Sequence, residues 1–372
     1  MRPHSYVFAI VVALFTLGAF SACDSSTTSG NIDDPTLGEV DPSLFVDAAI
    51  VGEITEEACV LSGGTETTCI RFSVNTDPVD HTAGPWCPGT IQADASEGGI
   101  WPEGGIAYEV DGSFIENLDT FYDDPFWQMY DDEGDVFITD SQEDCAAAAN
   151  PNVGEEYANF CVECQTSYLE PEAQITYVIP KQPVSVNGTG PTSDPMGVAF
   201  NGISFAPPAP TDRILGAYTL APFDDCGGHV NLNVGYHYHE ATGCGTQVAQ
   251  SDGHAPMIGY ALDGIPFYAQ MGTDGQEPTD LDECRGHTDD ERGYHYHVAS
   301  PGANQFVGCF RGEYGCALAG DGAGLTCDAT QGPGGPPGGG PPGGRPGPPE
   351  GRTSADAEAA HTHAFPGPHD HH

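Results

Sequence analysis

Basic residues are nearly missing from this 372-residue chain: nine Lys and Arg stand against 55 Asp and Glu, for a formal charge of −46. A surface of that sign repels nucleic acid and anionic lipid headgroups, so neither is an expected partner, while divalent cations are attracted. The chain also lacks a Gly-x-Ser-x-Gly elbow, a phosphate-binding loop, a dinucleotide fingerprint and a His-Glu-x-x-His helix. Their absence removes the usual signatures of serine hydrolases, nucleotide enzymes and zincins. Helix signals are weak throughout. Residues 123–135 loosely resemble a calcium loop, but no Glu stands at the twelfth position counted from Asp131, so calcium is not expected.

The long apolar run at the N-terminus, residues 7–20, is too short for a membrane span and reads as the core of a signal peptide over 1–22. Phe20-Ser21-Ala22-Cys23 resembles the lipobox of bacterial lipoproteins, with Phe where Leu is usual, so Cys23 is the expected lipidation site; ordinary secretion is the alternative. Of the 13 cysteines, setting Cys23 aside leaves an even number, as expected of a disulfide framework in an exported chain. Cys161-Val162-Glu163-Cys164 would suggest a redox or zinc motif in a cytosolic protein, but in this context reads as part of that framework. The expected location is the bacterial cell envelope, with the membrane touched only through the lipid anchor.

Five regions follow from composition. After the signal peptide come a flexible linker over 23–45, a β-rich part over 46–185, a duplicated domain over 186–328 and a tail over 329–372. The tail's Gly and Pro content, followed by His361, His363, His369, His371 and His372, predicts a segment without a core that binds metal weakly. Strands are expected over 57–74, 105–115, 134–139 and 174–179, and helices over 141–149 and near 155–164. Cys59 and Cys69 flank a Ser-Gly-Gly-Thr turn and are expected to close a hairpin.

Tyr-His-Tyr-His occurs twice, at 236–239 and 294–297, each time ten residues after a cysteine in an acidic Cys-x-Gly-His block. Upstream, Gly197-Val198-Ala199-Phe200-Asn201-Gly202-Ile203-Ser204-Phe205 matches Gly259-Tyr260-Ala261-Leu262-Asp263-Gly264-Ile265-Pro266-Phe267. Asn-Gly and Asp-Gly between apolar alternations predict hairpins with type I′ turns. The units, about 197–244 and 259–309, imply an internally duplicated, mainly β domain with few short helices and approximate two-fold symmetry. Their register suggests the disulfides Cys226–Cys244 and Cys284–Cys309. These blocks resemble the YHYH-domain family of exported bacterial proteins over about residues 195–310. That resemblance implies identity rather than a reaction.

Histidines two apart on a strand point to one face, so His237 with His239 and His295 with His297 can each converge on one point, joined by His229 and His287. Three neutral imidazoles hold Zn or Cu and leave a position for water or substrate. Asp224, Asp225, Asp282 and Glu283 are candidate further ligands or acceptors for the imidazoles. The tyrosines between the histidines should face the core. His254, which has no counterpart before the first hairpin, is a candidate seventh ligand or acid/base group, and Asp225 is the other catalytic candidate. Three functions remain open: a metal-binding envelope protein with two His triads, a metalloenzyme (hydrolase or oxidoreductase) with an open site, or a metal-free, disulfide-stabilised interaction domain with structural histidines.

Overall fold

A computed structural model describes residues 38–331 apart from 151, 171 and 172. The signal peptide, Cys23, most of the linker and the Gly/Pro/His tail lie outside the described residues. The fold is β-rich. The first eight strands are β1 (Ile50–Val60), β2 (Glu66–Asn75), β3 (Ile100–Glu103), β4 (Ile106–Glu109), β5 (Gln174–Pro180), β6 (Ser185–Gly190), β7 (Gly197–Ala199) and β8 (Ser204–Phe205). The next eight are β9 (Gly228–Asn231), β10 (Gly235–Tyr238), β11 (Met257–Ala261), β12 (Pro266–Tyr268), β13 (Gly286–Asp289), β14 (Gly293–His297), β15 (Phe310–Gly312) and β16 (Cys316–Ala319). The α-helices are short: α1 (Gly112–Glu116), α2 (Leu118–Phe121), α3 (Gln142–Ala148) and α4 (Thr211–Gly216). Among the described residues no helix is long and apolar enough to cross a membrane.

Eight strands form one sheet in the order β13-β14-β12-β11-β7-β8-β10-β9. The pairing is the same from either end. Each outer hairpin is antiparallel and sets His229 opposite His237, or His287 opposite His295. Each tetrapeptide strand then runs parallel to a short strand, with Tyr238 opposite Phe205 and Tyr296 opposite Phe267. At the centre β7 meets β11 antiparallel, with Val198 opposite Tyr260, Gly197 opposite Ala261 and Ala199 opposite Gly259. Val198 and Tyr260 are equivalent positions of the matched segments.

A second sheet, β1-β2-β5-β16, is completed by a strand that follows the second unit in sequence. Aromatic rings join the two sheets: Phe45 lies 4.7 Å from Phe72 of the second sheet and 6.3 Å from Tyr260 of the first. A smaller core of Trp101, Phe114, Leu118, Trp127 and Met129 gathers around α1 and α2.

All twelve cysteines of the described body are paired: Cys59–Cys69, Cys87–Cys161, Cys145–Cys164, Cys226–Cys244, Cys284–Cys309 and Cys316–Cys327. Cys161 and Cys164 go to different partners, so they form neither a redox pair nor half a zinc site. A framework this dense fits an extracellular protein.

Several local expectations need correction. The hairpin turns are not type I′, because Asn201 and Asp263 are not at positive φ, whereas Gly202 (φ 88°) and Gly264 (φ 82°) are. In each, the Gly N–H closes a turn onto Ala199 or Ala261, whose own N–H reaches Ile203 or Ile265, giving a three-residue loop ending in a left-handed Gly. The 105–115 stretch is strand only to Glu109, since Asp111 accepts from the Phe114 N–H at 2.7 Å and starts α1. Residues 134–139 form single bridges rather than a ladder, and 155–164 holds one 3₁₀ turn, Glu155–Tyr157. There, backbone bridges from Cys161 to Ile138 and Leu220 hold the chain extended and exclude a helix. The helix expected over 141–149 is α3, capped by Ser141.

Candidate metal centres

Each tetrapeptide strand opens on a left-handed glycine, Gly235 (φ 86°) or Gly293 (φ 66°), whose carbonyl accepts from Nδ1 of the histidine two residues on. The alternation then separates two chemistries. Tyr236 and Tyr294 turn inward, their hydroxyls donating to Asp224 at 2.9 Å and Asp282 at 3.0 Å. A Cβ on Gly228 would lie 2.5 Å from the Tyr236 ring, and one on Gly286 would lie 2.1 Å from the Tyr294 hydroxyl, which is why the block reads Cys-x-Gly-His. Asp224 and Asp282 also accept from the backbone of their own turns, at Cys226 and Gly228 and at Cys284 and Gly286. They are therefore acceptors for tyrosine and backbone, not for the imidazoles as expected from sequence.

The histidines occupy the other face, in two clusters at opposite edges of the sheet. His229, His237 and His239 have ligand atoms within 4.8 Å of one another, and His254, His287, His295 and His297 form the second group on the same criterion. The second is a tetrad, the expected triad joined by His254, the candidate seventh ligand. His254 reaches it from the loop before β11, whose Asp252 pairs with Arg292, as does Asp289 of β13.

Backbone oxygens fix most of the imidazoles. Nδ1 of His237, His239, His254, His295 and His297 lies 2.6 to 3.0 Å from the carbonyls of Gly235, Pro207, Ala255, Gly293 and Ala269. Nδ1 of His287 meets Asp280 Oδ1 at 2.8 Å. A carbonyl can only accept, so each Nδ1 facing one carries the proton and the Nε2 lone pair is left pointing inward. In the tetrad, Nε2 of His295 stands 3.0 Å from those of His254 and His287, and His254 to His297 is 3.2 Å. In the triad, His229 and His239 are 3.2 Å apart at Nε2.

Protonation does not relieve this crowding of lone pairs. Burial, reinforced by the neighbouring imidazoles, holds His229 and His239 well below the ordinary imidazole value. Burial also lowers His237 and His254, and pushes His295 down to about 3 and His297 to about 4. Neutral imidazoles with convergent lone pairs are what a divalent transition ion requires.

The two groups differ in surroundings. The triad borders a cavity of about 350 Å³ walled by Trp86, Val162, Ile214 and Ala217, with Asn150, Glu163, Arg213, Thr219 and Asn231 among its polar members. Phe223 stacks on His239 at 5.0 Å. The fourth ligand of the tetrad has no counterpart here, since position 192 in the matching register is Thr.

The comparisons with known proteins agree with the motif. Residues 176–280 match the family model described as YHYH protein. The chain carries a YHYH domain. The matched stretch holds the first tetrapeptide and stops before the second, so it is shorter than the 195–310 of the sequence resemblance. No curated protein and no solved structure matches the chain.

Of the two catalytic candidates, His254 lies within the tetrad, and Asp225 does not line the cavity. The cavity carboxylate is Glu163, held by the Cys87 N–H at 3.2 Å and by Gln165 Nε2 at 2.7 Å, and raised in pKa by burial. Glu163 was hidden in the Cys161/Cys164 segment. Asp280 had a readable signal: its counterpart in the first block, Pro222, has no side-chain acceptor to offer an imidazole.

Proposed function

We propose that this is an exported metal-binding protein whose YHYH domain holds two divalent transition ions, zinc or copper, in unlike centres. The observation that carries this reading is the convergence of Nε2 lone pairs on neutral imidazoles whose Nδ1 protons are committed elsewhere. Four imidazoles fill a tetrahedral ion, so the tetrad is a closed, structural centre; three leave one position, so the triad is open to a further ligand. The matching pairing order and the Val198–Tyr260 register support an origin of the two units by duplication. Export, with anchoring through a lipid on Cys23, rests on the N-terminal sequence and agrees with the six disulfides.

The test is metal analysis of a chain ending at residue 331, which removes the His-rich tip. About two ions per chain are expected, falling by about one in His237→Ala and by about one in His295→Ala. A folded chain that retains no metal after dialysis would overturn the reading in favour of an interaction domain with structural histidines.

A further inference from the structure

The described body has few cations, and the carboxylates around them leave one over. Arg71 pairs with Glu57, Lys181 with Glu56, Arg285 with Glu277, Arg292 with Asp252 and Asp289, and Arg311 with Asp282. Among the described residues, Arg213 is the cation with no carboxylate partner, in a chain of charge −46. It stands exposed on α4 and lines the same cavity as His229, His237 and His239. Both oxygens of Glu163 are already engaged by Cys87 and Gln165, so the cavity's own carboxylate does not claim the guanidinium. The remaining wall is mostly apolar, and the volume is that of a small-molecule site.

From this we infer that the cavity binds a small organic anion with an apolar body, a medium-chain carboxylate in chemical class. The apolar part lies against Trp86, Val162 and Ile214, and the carboxylate is drawn by Arg213 and by the open position of the three-histidine centre. A divalent ion on neutral imidazoles together with Arg213 outweighs Glu163, so this pocket favours anions on a surface that otherwise repels them. Arg213 supplies a charge-assisted contact that a neutral amide of the same shape cannot match. The inference rests on the metal reading of the triad.

The test uses the full chain loaded with cobalt(II) and dialysed, with octanoate and octanamide as probes. Octanoate should change the visible cobalt spectrum and bind at least about tenfold more tightly than octanamide. Arg213→Gln should weaken octanoate about tenfold while leaving octanamide binding and the two-ion content unchanged. Equal binding of the two probes, full octanoate affinity in Arg213→Gln, or a spectrum silent to octanoate in protein holding both ions overturns this inference alone. A content below two ions per chain overturns the metal reading and this inference with it.

Discussion

The three-histidine and four-histidine clusters are built from the same tetrapeptide, the same left-handed glycine and the same tyrosine–aspartate lock, yet they differ in number of imidazoles and in surroundings. The difference lies outside the shared strands. A loop held by Arg292 between Asp252 and Asp289 brings His254 to one cluster, while the other faces a cavity under α4 and the Cys145–Cys164 segment. The strand supplies converging imidazoles, and the connections decide whether a fourth joins them. In the proposed reading the unmatched His254 is the seventh ligand, and it makes its half the closed one.

The largest effect that would break this comparison is loss of the closed centre. His295→Ala should cost about 4 kcal/mol of unfolding free energy when free metal stands near a thousand times its Kd, measured by denaturant titration with and without chelator. His237→Ala should cost less and leave the tetrad ion in place. Equal costs would show that both centres are structural.

Acid comes next. The buried imidazoles titrate below the ordinary 6.5, at about 3 for His295 and about 4 for His297. Between pH 6.5 and about 4 the unfolded chain thus takes up protons that the metal-free folded chain refuses. Stability should be level above 6.5 and fall on acidification, by about 1.4 kcal/mol per pH unit for each proton withheld. Thermal melts of metal-free protein from pH 7 to about 4 would show the slope; a flat profile would mean that these imidazoles charge freely in the fold.

Smaller effects should separate the halves further. Asp280→Asn should weaken the tetrad ion about tenfold by loosening His287, and leave the triad untouched, as read by competition with a chromophoric chelator. Tyr238→Phe removes a hydroxyl that receives a hydrogen bond from neutral Asn201, and should cost about 1 kcal/mol. Tyr296→Phe should cost more, about 2 kcal/mol, because it takes a donor from the fully buried carboxyl of Asp263, already raised to about 6 by burial. Calorimetry of the pair checks the order.

What could be read from the sequence was whatever repeats or alternates. His-x-His and Tyr-x-Tyr declared two faces, Asn-Gly and Asp-Gly marked the hairpins, and the matched register gave Cys226–Cys244 and Cys284–Cys309. The turn type escaped because dipeptide identity does not fix φ: the Asn201 and Asp263 side chains bond the N–H of Ile203 and Ile265, and only the following glycine goes left-handed. The cavity escaped for a different reason. Asn150, Glu163 and Arg213 come from segments with no common period, brought together by disulfides and a short helix. Asp280 showed only as an acid facing a proline across the repeat.

The eight-stranded sheet ends on β9 at one side and β13 at the other, and each of these outermost strands carries one histidine of its cluster. An ion in either centre would thus bolt a border strand to its inner neighbour. Stripping metal would loosen both borders at once, so metal supply would govern how firmly the two ends of the sheet are held.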